Sequence, residues 1–524
     1  MRPIRIKSAP SHVDSPEIAP WSWRFFGAAL SIFATLMLAW SLASPLGSIP
    51  DEPAHFIRAA AVVRGEVVAE KHAGVPYATV VVPNYVAHTR LLPCYAGKVT
   101  LSAGCSTSLT KGVDKPVITA TSAGSNSPTY YALVGLPSLV FSGDFALYAM
   151  RFVSLMLCSL LLASVFTALK ALRFGPWTFA GAVVAITPMT LFLGGSVNPN
   201  ALELAASGAV FVAVVALARY GTSLARRTFA GYGVLAVVGA LLLTGTRSIS
   251  LLWLLVAAVA ALLIAQPKSL KALFVRPRTW IVIALIGVVA GLALLWFTSP
   301  LPPGPATGGP PKDGMTIARV AATMARETFG YWTGWIGYFG WLDQPSPDFV
   351  YIVWHLCIGV VLAGGVFVGT GRARLVSAGL AVVAFAIPIV VQSAIYSSQG
   401  WIWQGRYLLA VDLLLLLTAG ISLDNATSKT PGLSRSPIIM RVFRTGLVLM
   451  AVGQFLSFFQ TLARYVVGNQ PVWSVFRISE WQPPLTWAGV SVLFAGVLVV
   501  AIWASWRAIG RYERRPQFDP ELTE

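Results

Sequence analysis

The sequence predicts an all-α polytopic membrane protein with about 12 transmembrane helices. Of its 524 residues 56% are hydrophobic and 11% charged, whereas a soluble globular domain carries about 25% charge. Mean hydropathy is +0.71, and the apolar residues gather into runs of roughly 20, the length that crosses about 30 Å of hydrocarbon. A soluble enzyme is excluded. The formal charge of +18 would suggest nucleic acid in a soluble chain, but the basic residues lie mostly between apolar runs, where they read as membrane topology.

The first span is predicted at 24–44. It is longer than a signal-peptide core of about 7 to 15 residues and follows a long tail, so it reads as an anchor. The next full span begins only near 150. Spans then follow at 150–171, 177–196, 199–219, 228–245, 248–265, 280–298, 350–370, 374–395, 406–423, 441–463 and 486–506. The shorter apolar piece Tyr130 to Phe141 contains Gly135 and Pro137 and reads as a re-entrant or juxtamembrane helix. One transmembrane domain, 24–506, therefore lies between tails at 1–23 and 507–524.

Lys and Arg alternate between connections. Arg2, Arg5, Lys7 and Arg24 precede the first span; Lys170 and Arg173, then Arg219, Arg226 and Arg227, then Lys268, Lys271, Arg276 and Arg278 occupy every second connection. Arg372 and Arg374, then Lys429, Arg435, Arg441 and Arg444, then Arg507, Arg511, Arg514 and Arg515 continue the series. Retention of positive charge inside predicts cytoplasmic termini and an inner-membrane location. The outer material is then the loop 45–148, the loop 299–348 and short turns near 197, 246, 400 and 475.

Those outer segments hold the unusual polar residues. Ser48-Ile49-Pro50-Asp51-Glu52-Pro53-Ala54-His55-Phe56 stands where the first span ends. Pro53 suits a first helical turn and Asp51 a cap, and Phe56, Ile57, Ala60, Val63 and Val67 recur at helical spacing with Arg58, Arg64 and Glu66 opposite. An amphipathic helix near 53–68, lying on the membrane, is expected. Asp51 and Glu52 read either as an ordinary acidic helix start or as carboxylates that act on a hydroxyl or hold a cation against phosphate. His55, one turn on from Asp51, could assist them, or be a hydrogen-bonding surface residue.

Asn126-Ser127-Pro128-Thr129-Tyr130-Tyr131 lies where the first outer loop returns; Tyr130 and Tyr131 read as interfacial anchors or as pocket walls. In Ser196-Val197-Asn198-Pro199-Asn200-Ala201-Leu202-Glu203, Asn198 suits a cap, and Asn200 and Glu203 should face the bundle or its mouth. Arg247 is a lone outer cation, either snorkelling or a phosphate partner. Gln404-Gly405-Arg406-Tyr407 opens a span, and Arg406 opposes the helix dipole there, so it wants an anion. The alternative is an aromatic belt with one snorkelling Arg. Glycines alternate with aromatics from Phe329 to Trp341, as in an interfacial belt or a sugar-stacking surface. Cys94 and Cys105 share an outer loop, where a disulfide is expected; Cys158 and Cys357 fall within spans. No zinc spacing, phosphate loop, dinucleotide fingerprint or nucleophile elbow stands out. No nucleotide or redox cofactor is expected; the metal ligand set is undefined, and a divalent cation is compatible with the acids.

Together, Pro-Asp-Glu-Pro-Ala-His-Phe from 50, Ser-Pro-Thr-Tyr-Tyr from 127, Ser-Val-Asn-Pro-Asn-Ala from 196 and Gln-Gly-Arg-Tyr from 404 resemble a bacterial, actinobacterial-type family of predicted membrane proteins of unknown function. The resemblance spans most of 24–423. That family in turn looks like the GT-C glycosyltransferases, which use polyprenyl-phosphate sugars and carry acids in the first outer loop. The resemblance implies sugar transfer to an envelope glycan, lipid or protein at the outer face of the bilayer. Asp51 would be the base, Glu52 would position acceptor or cation, and Arg406, with Arg247, would neutralise the lipid phosphate. His55, Tyr130, Tyr131, Asn200, Glu203, Gln404 and Tyr407 would line the pocket. Ser127 stands where a second Pro often precedes Pro-Thr-Tyr-Tyr, and Asp-x-Asp is absent, which leaves the metal requirement open. The alternative is a transporter or flippase for a lipid-linked glycan, with Glu203, Arg247 and Arg406 along its path.

Overall fold

The computed structural model describes residues 18–71, 77–107, 109, 114–301, 314–429 and 436–513. Most of both expected tails lies outside them. Helix α1 (Trp23–Ala43) leads into a long excursion carrying α2 (Glu52–Val62), β1 (Ala78–Pro83), α3 (Asn84–His88), β2 (Pro116–Thr121) and α4 (Pro128–Gly135). Strands β1 and β2 pair antiparallel, with Ala78 opposite Thr121. Then come α5 (Gly143–Ala171), α6 (Pro176–Val184), α7 (Pro188–Gly194), α8 (Pro199–Tyr220), α9 (Arg226–Thr244), α10 (Ser250–Ile264), α11 (Pro267–Phe274) and α12 (Pro277–Thr298). The second excursion holds α13 (Ile317–Ile336) and the two-residue strands β3 (Tyr338–Phe339) and β4 (Gln344–Pro345). Helices α14 (Asp348–Ala363), α15 (Arg372–Gln399), α16 (Leu409–Thr427), α17 (Pro437–Val467) and α18 (Thr486–Glu513) complete the bundle.

Among the described residues ten helices are long and apolar enough to cross a membrane, and two bent pairs raise this to twelve if each is one span. The chain is a multi-pass membrane protein. The expected span at 177–196 is broken: α6 and α7 meet at 63°, because Pro188 has no N–H to continue the ladder. The break is satisfied from outside, as hydrocarbon demands. Trp354 Nε1 donates to Val184 O at 3.0 Å and Gln454 Nε2 to Ile186 O at 2.8 Å. At 248–265 only α10 follows the axis, and α11 turns off by 115°. Two further boundaries differ. Helix α5 starts at Gly143, inside the expected loop 45–148, and α18 runs on to Glu513, where a tail was expected from 507.

Helices α8 and α16 are central, with 94% and 89% of their most apolar stretches buried, whereas the still more apolar α12 has 6% of its stretch covered by protein. Small residues let the inner helices touch. A Cβ on Gly181 would collide with Leu416 O, and one on Gly420 with Trp177 and Thr178. Asp424 caps α6 from the neighbouring helix, accepting from Trp177 N and Thr178 N at 3.0 Å each.

The two long excursions and the turns after α7, α9, α15 and α17 gather at one end of the bundle, the loop end. Cys94 and Cys105 form a disulfide in the first excursion. Gly97 N beside it donates to Asp343 Oδ2 at 3.2 Å, and Arg464 of α17 donates to Lys98 O at 3.0 Å and also binds Leu101 O and Tyr95 O. Trp341 Nε1 then donates to Gly47 O at 3.1 Å, so the second excursion rests on the turn that precedes Asp51.

Candidate active site

The turn after α1 is held from two sides before it reaches Asp51. Asn198, which also caps α8 by accepting from Asn200 N at 3.0 Å, donates to Pro50 O at 3.2 Å. Asp51 itself has φ of 66°, in the left-handed region that Asp tolerates better than most residues. Its expected role as a cap is not what the structure shows. The left-handed turn aims the carboxylate away from the start of α2, which it does not cap, and Oδ2 meets Arg406 Nη2 at 2.6 Å instead. The two partners differ in setting: the Asp51 side chain is 46% exposed and that of Arg406 1%.

Arg406 lies in the single turn Gly405–Leu408 that leads into α16. The anion that the helix start demands is Asp51. Two more guanidinium nitrogens, Nε and Nη1, are buried without a partner among the described residues, and so is Oε1 of Gln404, two residues earlier in the chain. Gly405 makes this seal: a Cβ there would strike Tyr331 O and crowd Gly334 of α13. The glycines among the aromatics thus bring α13 down onto the Arg406 turn, a packing role neither of the expected readings anticipates. Tyr407 presents its ring to Arg247 at 4.7 Å and to Arg406 at 5.4 Å, which favours both cations.

Glu52 behaves differently from its neighbour. Helix α2 was expected on the membrane surface and to about 68, yet it ends at Val62 and is packed inside the loop-end structure, with Glu52, His55 and Arg58 all buried. Glu52 forms a two-pronged pair with Arg151 of α5, Nε to Oε1 at 2.7 Å and Nη2 to Oε2 at 2.6 Å, both side chains at 0% exposure. Gly47 N and Val197 N also donate to it, at 3.0 and 3.2 Å. Arg151 in turn donates to the carbonyls of Ser41, Ser44 and Pro45. A carboxylate so enclosed binds α1, α2, α5 and the α7–α8 turn together and has no face left for a substrate.

Arg247 and Glu203 also face each other. Nε donates to Oε1 at 2.8 Å and Nη2 to Oε2 at 2.5 Å, while Nη2 reaches Asn200 Oδ1 at 2.6 Å. Thr246 and Ser250 hydroxyls complete the Glu203 shell. Arg247, whose side chain is 17% exposed, is therefore a neutralised wall of the site, and Glu203 is its counter-ion. Tyr130 is fully buried and bonds Ser154 of α5, away from the cluster. Tyr131 belongs to it: its hydroxyl lies 2.8 Å from His55 Nδ1 and accepts from Asn126 Nδ2 at 2.8 Å. Burial pushes the His55 imidazole down to about 4, with Asp51 opposing that fall and the Arg247 and Arg406 cations adding to it. Its neutral ring thus sits inside the same electrostatic cluster as Asp51.

Residues 34–415 match a family described as Predicted membrane protein (DUF2142). The chain belongs to the DUF2142 family. The matched stretch contains every residue of the cluster. No curated protein matches the chain. The fold aligns with crystal structures of ArnT from Cupriavidus metallidurans, in the apo state with a TM-score of 0.40 and bound to undecaprenyl phosphate with a TM-score of 0.38. Each alignment has 12% identity and covers 94% of this chain and 77% of the other.

Arg151 and Asp412 of this DUF2142 chain escaped the sequence reading. Arg151 stands within the first residues of an apolar span, and Asp412 within another; a charge inside a span is itself the signal that should have drawn notice. Arg58 was expected opposite the apolar positions of α2, but is buried and, among the described residues, donates to the carbonyls of Glu66 and Asn126. Burial lowers its guanidinium to about 10. Among the described residues no three His, Cys, Asp or Glu side chains converge as a metal site. Asp51 is a single carboxylate whose partner is already a cation, and that donor set does not fit a resident divalent ion.

Proposed function

We propose that the protein is a GT-C-like membrane glycosyltransferase that moves a sugar from a polyprenyl-phosphate donor to a cell-envelope acceptor at the extracytoplasmic face of the cytoplasmic membrane, with both termini inside. The observation that carries this reading is the unequal pair at the loop end: a carboxylate with 46% of its side chain exposed, bound to an arginine whose Nε and Nη1 carry three N–H hydrogens without a partner among the described residues. A lipid-anchored donor presents its phosphate at the membrane boundary, and an acceptor hydroxyl arrives from water. The reaction needs a base on the water side and a cation on the lipid-phosphate side, and Asp51 with Arg406 supplies that polarity.

In this reading the acceptor oxygen attacks the anomeric carbon, the carbon–oxygen bond to phosphate breaks, and Asp51 takes the acceptor proton. Arg406 stabilises the charge that collects on the leaving phosphate. Phosphate is a good leaving group, so no second carboxyl acid is required, in contrast to glycoside hydrolysis. Attack from the face opposite the phosphate inverts the anomeric centre. Because phosphate and Asp51 compete for one guanidinium, donor binding frees the carboxylate for the acceptor. The test is donor-dependent formation of a glycosylated product from a radiolabelled lipid-phosphate sugar by purified protein, wild type against Asp51→Asn. Full activity in the variant would remove Asp51 from the chemistry.

The second reading is transport of a lipid-linked glycan. It draws on Asp412, fully buried in α16 with neither carboxylate oxygen hydrogen-bonded among the described residues, and on the broken α6–α7 span. Movement of intact substrate across proteoliposomes, without bond cleavage and sensitive to Asp412→Asn, would favour it.

A further inference from the structure

His55 lies one helical turn beyond Asp51 and keeps 6% of its surface exposed. Its Nδ1 meets Tyr131 Oη at 2.8 Å, and Asn126 Nδ2 meets that same oxygen at 2.8 Å. An amide nitrogen only donates. Tyr131 Oη therefore accepts from Asn126, and because the hydroxyl is buried its single hydrogen needs an acceptor, which His55 Nδ1 supplies. With Nδ1 as acceptor, a neutral imidazole carries its proton on Nε2. That nitrogen has no hydrogen-bond partner among the described residues and is not among the sealed polar atoms. The relay is itself pinned: Arg58 Nη2 donates to Asn126 O at 3.0 Å, Ser127 N to Thr246 O at 3.2 Å and Tyr130 N to Gly245 O at 3.1 Å. The backbone that aims His55 is thus fastened to the turn that carries Arg247.

We propose that His55 donates its Nε2–H to an oxygen of the lipid phosphate that Arg406 receives, with Tyr131 and Asn126 as positioning residues that lock this tautomer. The proposal rests on the glycosyltransferase reading above. His55 N donates to Asp51 O at 3.1 Å and Asp51 Oδ2 holds Arg406 Nη2 at 2.6 Å, so one residue links the imidazole to the Arg406 site. The phosphate has more acceptor sites than the three N–H hydrogens on Arg406 Nε and Nη1 can fill. A neutral donor satisfies one without placing a third cation beside Arg406 and Arg247. A ring with no free lone pair cannot also act as base, so proton removal from the acceptor is left to Asp51.

Asn126→Asp reverses the relay at almost no change in shape. A carboxylate only accepts, so the Tyr131 hydrogen turns toward residue 126, Tyr131 Oη accepts from Nδ1–H, and Nε2 presents a lone pair to the phosphate. His55→Gln retains an N–H donor, His55→Ala removes it, and Tyr131→Phe cuts the relay. Equilibrium binding of a short-chain polyprenyl phosphate to the purified full-length variants, with thermal unfolding as the check on folding, reads the consequence. His55→Ala and Asn126→Asp should bind about 10-fold more weakly than wild type, and His55→Gln within about twofold of it. Nitrogen NMR with selective labelling of the 5 histidines reads the tautomer independently of the charge that Asn126→Asp adds: Nε2–H in wild type, Nδ1–H in Asn126→Asp. Wild-type binding that Arg406→Ala abolishes but His55→Ala and Asn126→Asp leave intact would overturn the proposal and spare the transferase reading. So would an Nδ1–H signal from His55 in the wild type. A wild-type protein that binds no polyprenyl phosphate would overturn both.

Discussion

Asp51 and Glu52 are adjacent in the chain, and each meets an arginine at 2.6 Å, yet they live in different surroundings. Glu52 and Arg151 are wholly enclosed: each Glu52 oxygen also accepts a backbone N–H, from Gly47 or Val197, and the guanidinium hydrogens are matched by Glu52 and by the carbonyls of Ser41, Ser44 and Pro45. Asp51 has solvent on one side, and its partner has hydrogens to spare. Breaking a saturated buried pair leaves a bare charge in a low dielectric, whereas an unsaturated pair at a boundary can exchange partners at small cost. The left-handed turn at Asp51 separates the two: it sends one carboxylate outward while the helix it begins carries the next one inward. Identical chemistry thus serves anchoring at one residue and, in the proposed reaction, proton transfer at its neighbour.

The largest expected effect breaks the enclosed pair. Glu52→Ala should cost about 3 to 5 kcal/mol by stranding Arg151, seen as loss of monodisperse protein or a large fall in Tm in detergent. Asp51→Asn should leave Tm close to wild type while lowering transfer on the order of 10²- to 10⁴-fold. An equal loss of stability in both variants would erase the distinction between the pairs. Arg406→Lys keeps the charge but loses the fork, and transfer should fall roughly 10²-fold with Asp51 still exposed. This is read as kcat in the same assay.

The smallest effect concerns pH. His55 is pulled from its ordinary value of 6.5 down to about 4 in the folded protein, so the unfolded chain takes up the proton first as pH falls. The stability that goes with its neutral burial is complete above 6.5 and is lost as pH drops through 4. His55→Gln should therefore flatten the fall in Tm between pH 7.5 and pH 5, measured by thermal unfolding at matched detergent.

The spans were legible because hydropathy is local: α8, which is buried by protein, and α12, which protein leaves almost uncovered, both read as apolar runs. For the same reason composition could not say which of them is central. The gathering of Asp51, His55, Asn200, Arg247, Arg406 and Tyr407 at one end followed from counting crossings. Their pairing did not, because Arg406 is 355 residues from Asp51 and Arg151 is 99 from Glu52, and nothing in a single sequence ranks one distant arginine over another. Glu203 looked available for the same reason; its shell comes from a turn some 44 residues later. Helix α2 has an amphipathic pattern, but Arg58 and Glu52 lie inside it because backbone carbonyls and Arg151 accommodate them, a solution visible only once the chain is folded. Pro188 was visible, and its lack of an N–H foretells the break that hydropathy averaged over.

The most direct measurement is the reactivity of Asp51→Cys toward a membrane-impermeant maleimide in intact cells, with and without added polyprenyl phosphate. The account predicts labelling from outside the cell and protection by the lipid phosphate. Labelling only after permeabilisation, or labelling indifferent to the phosphate, would contradict it.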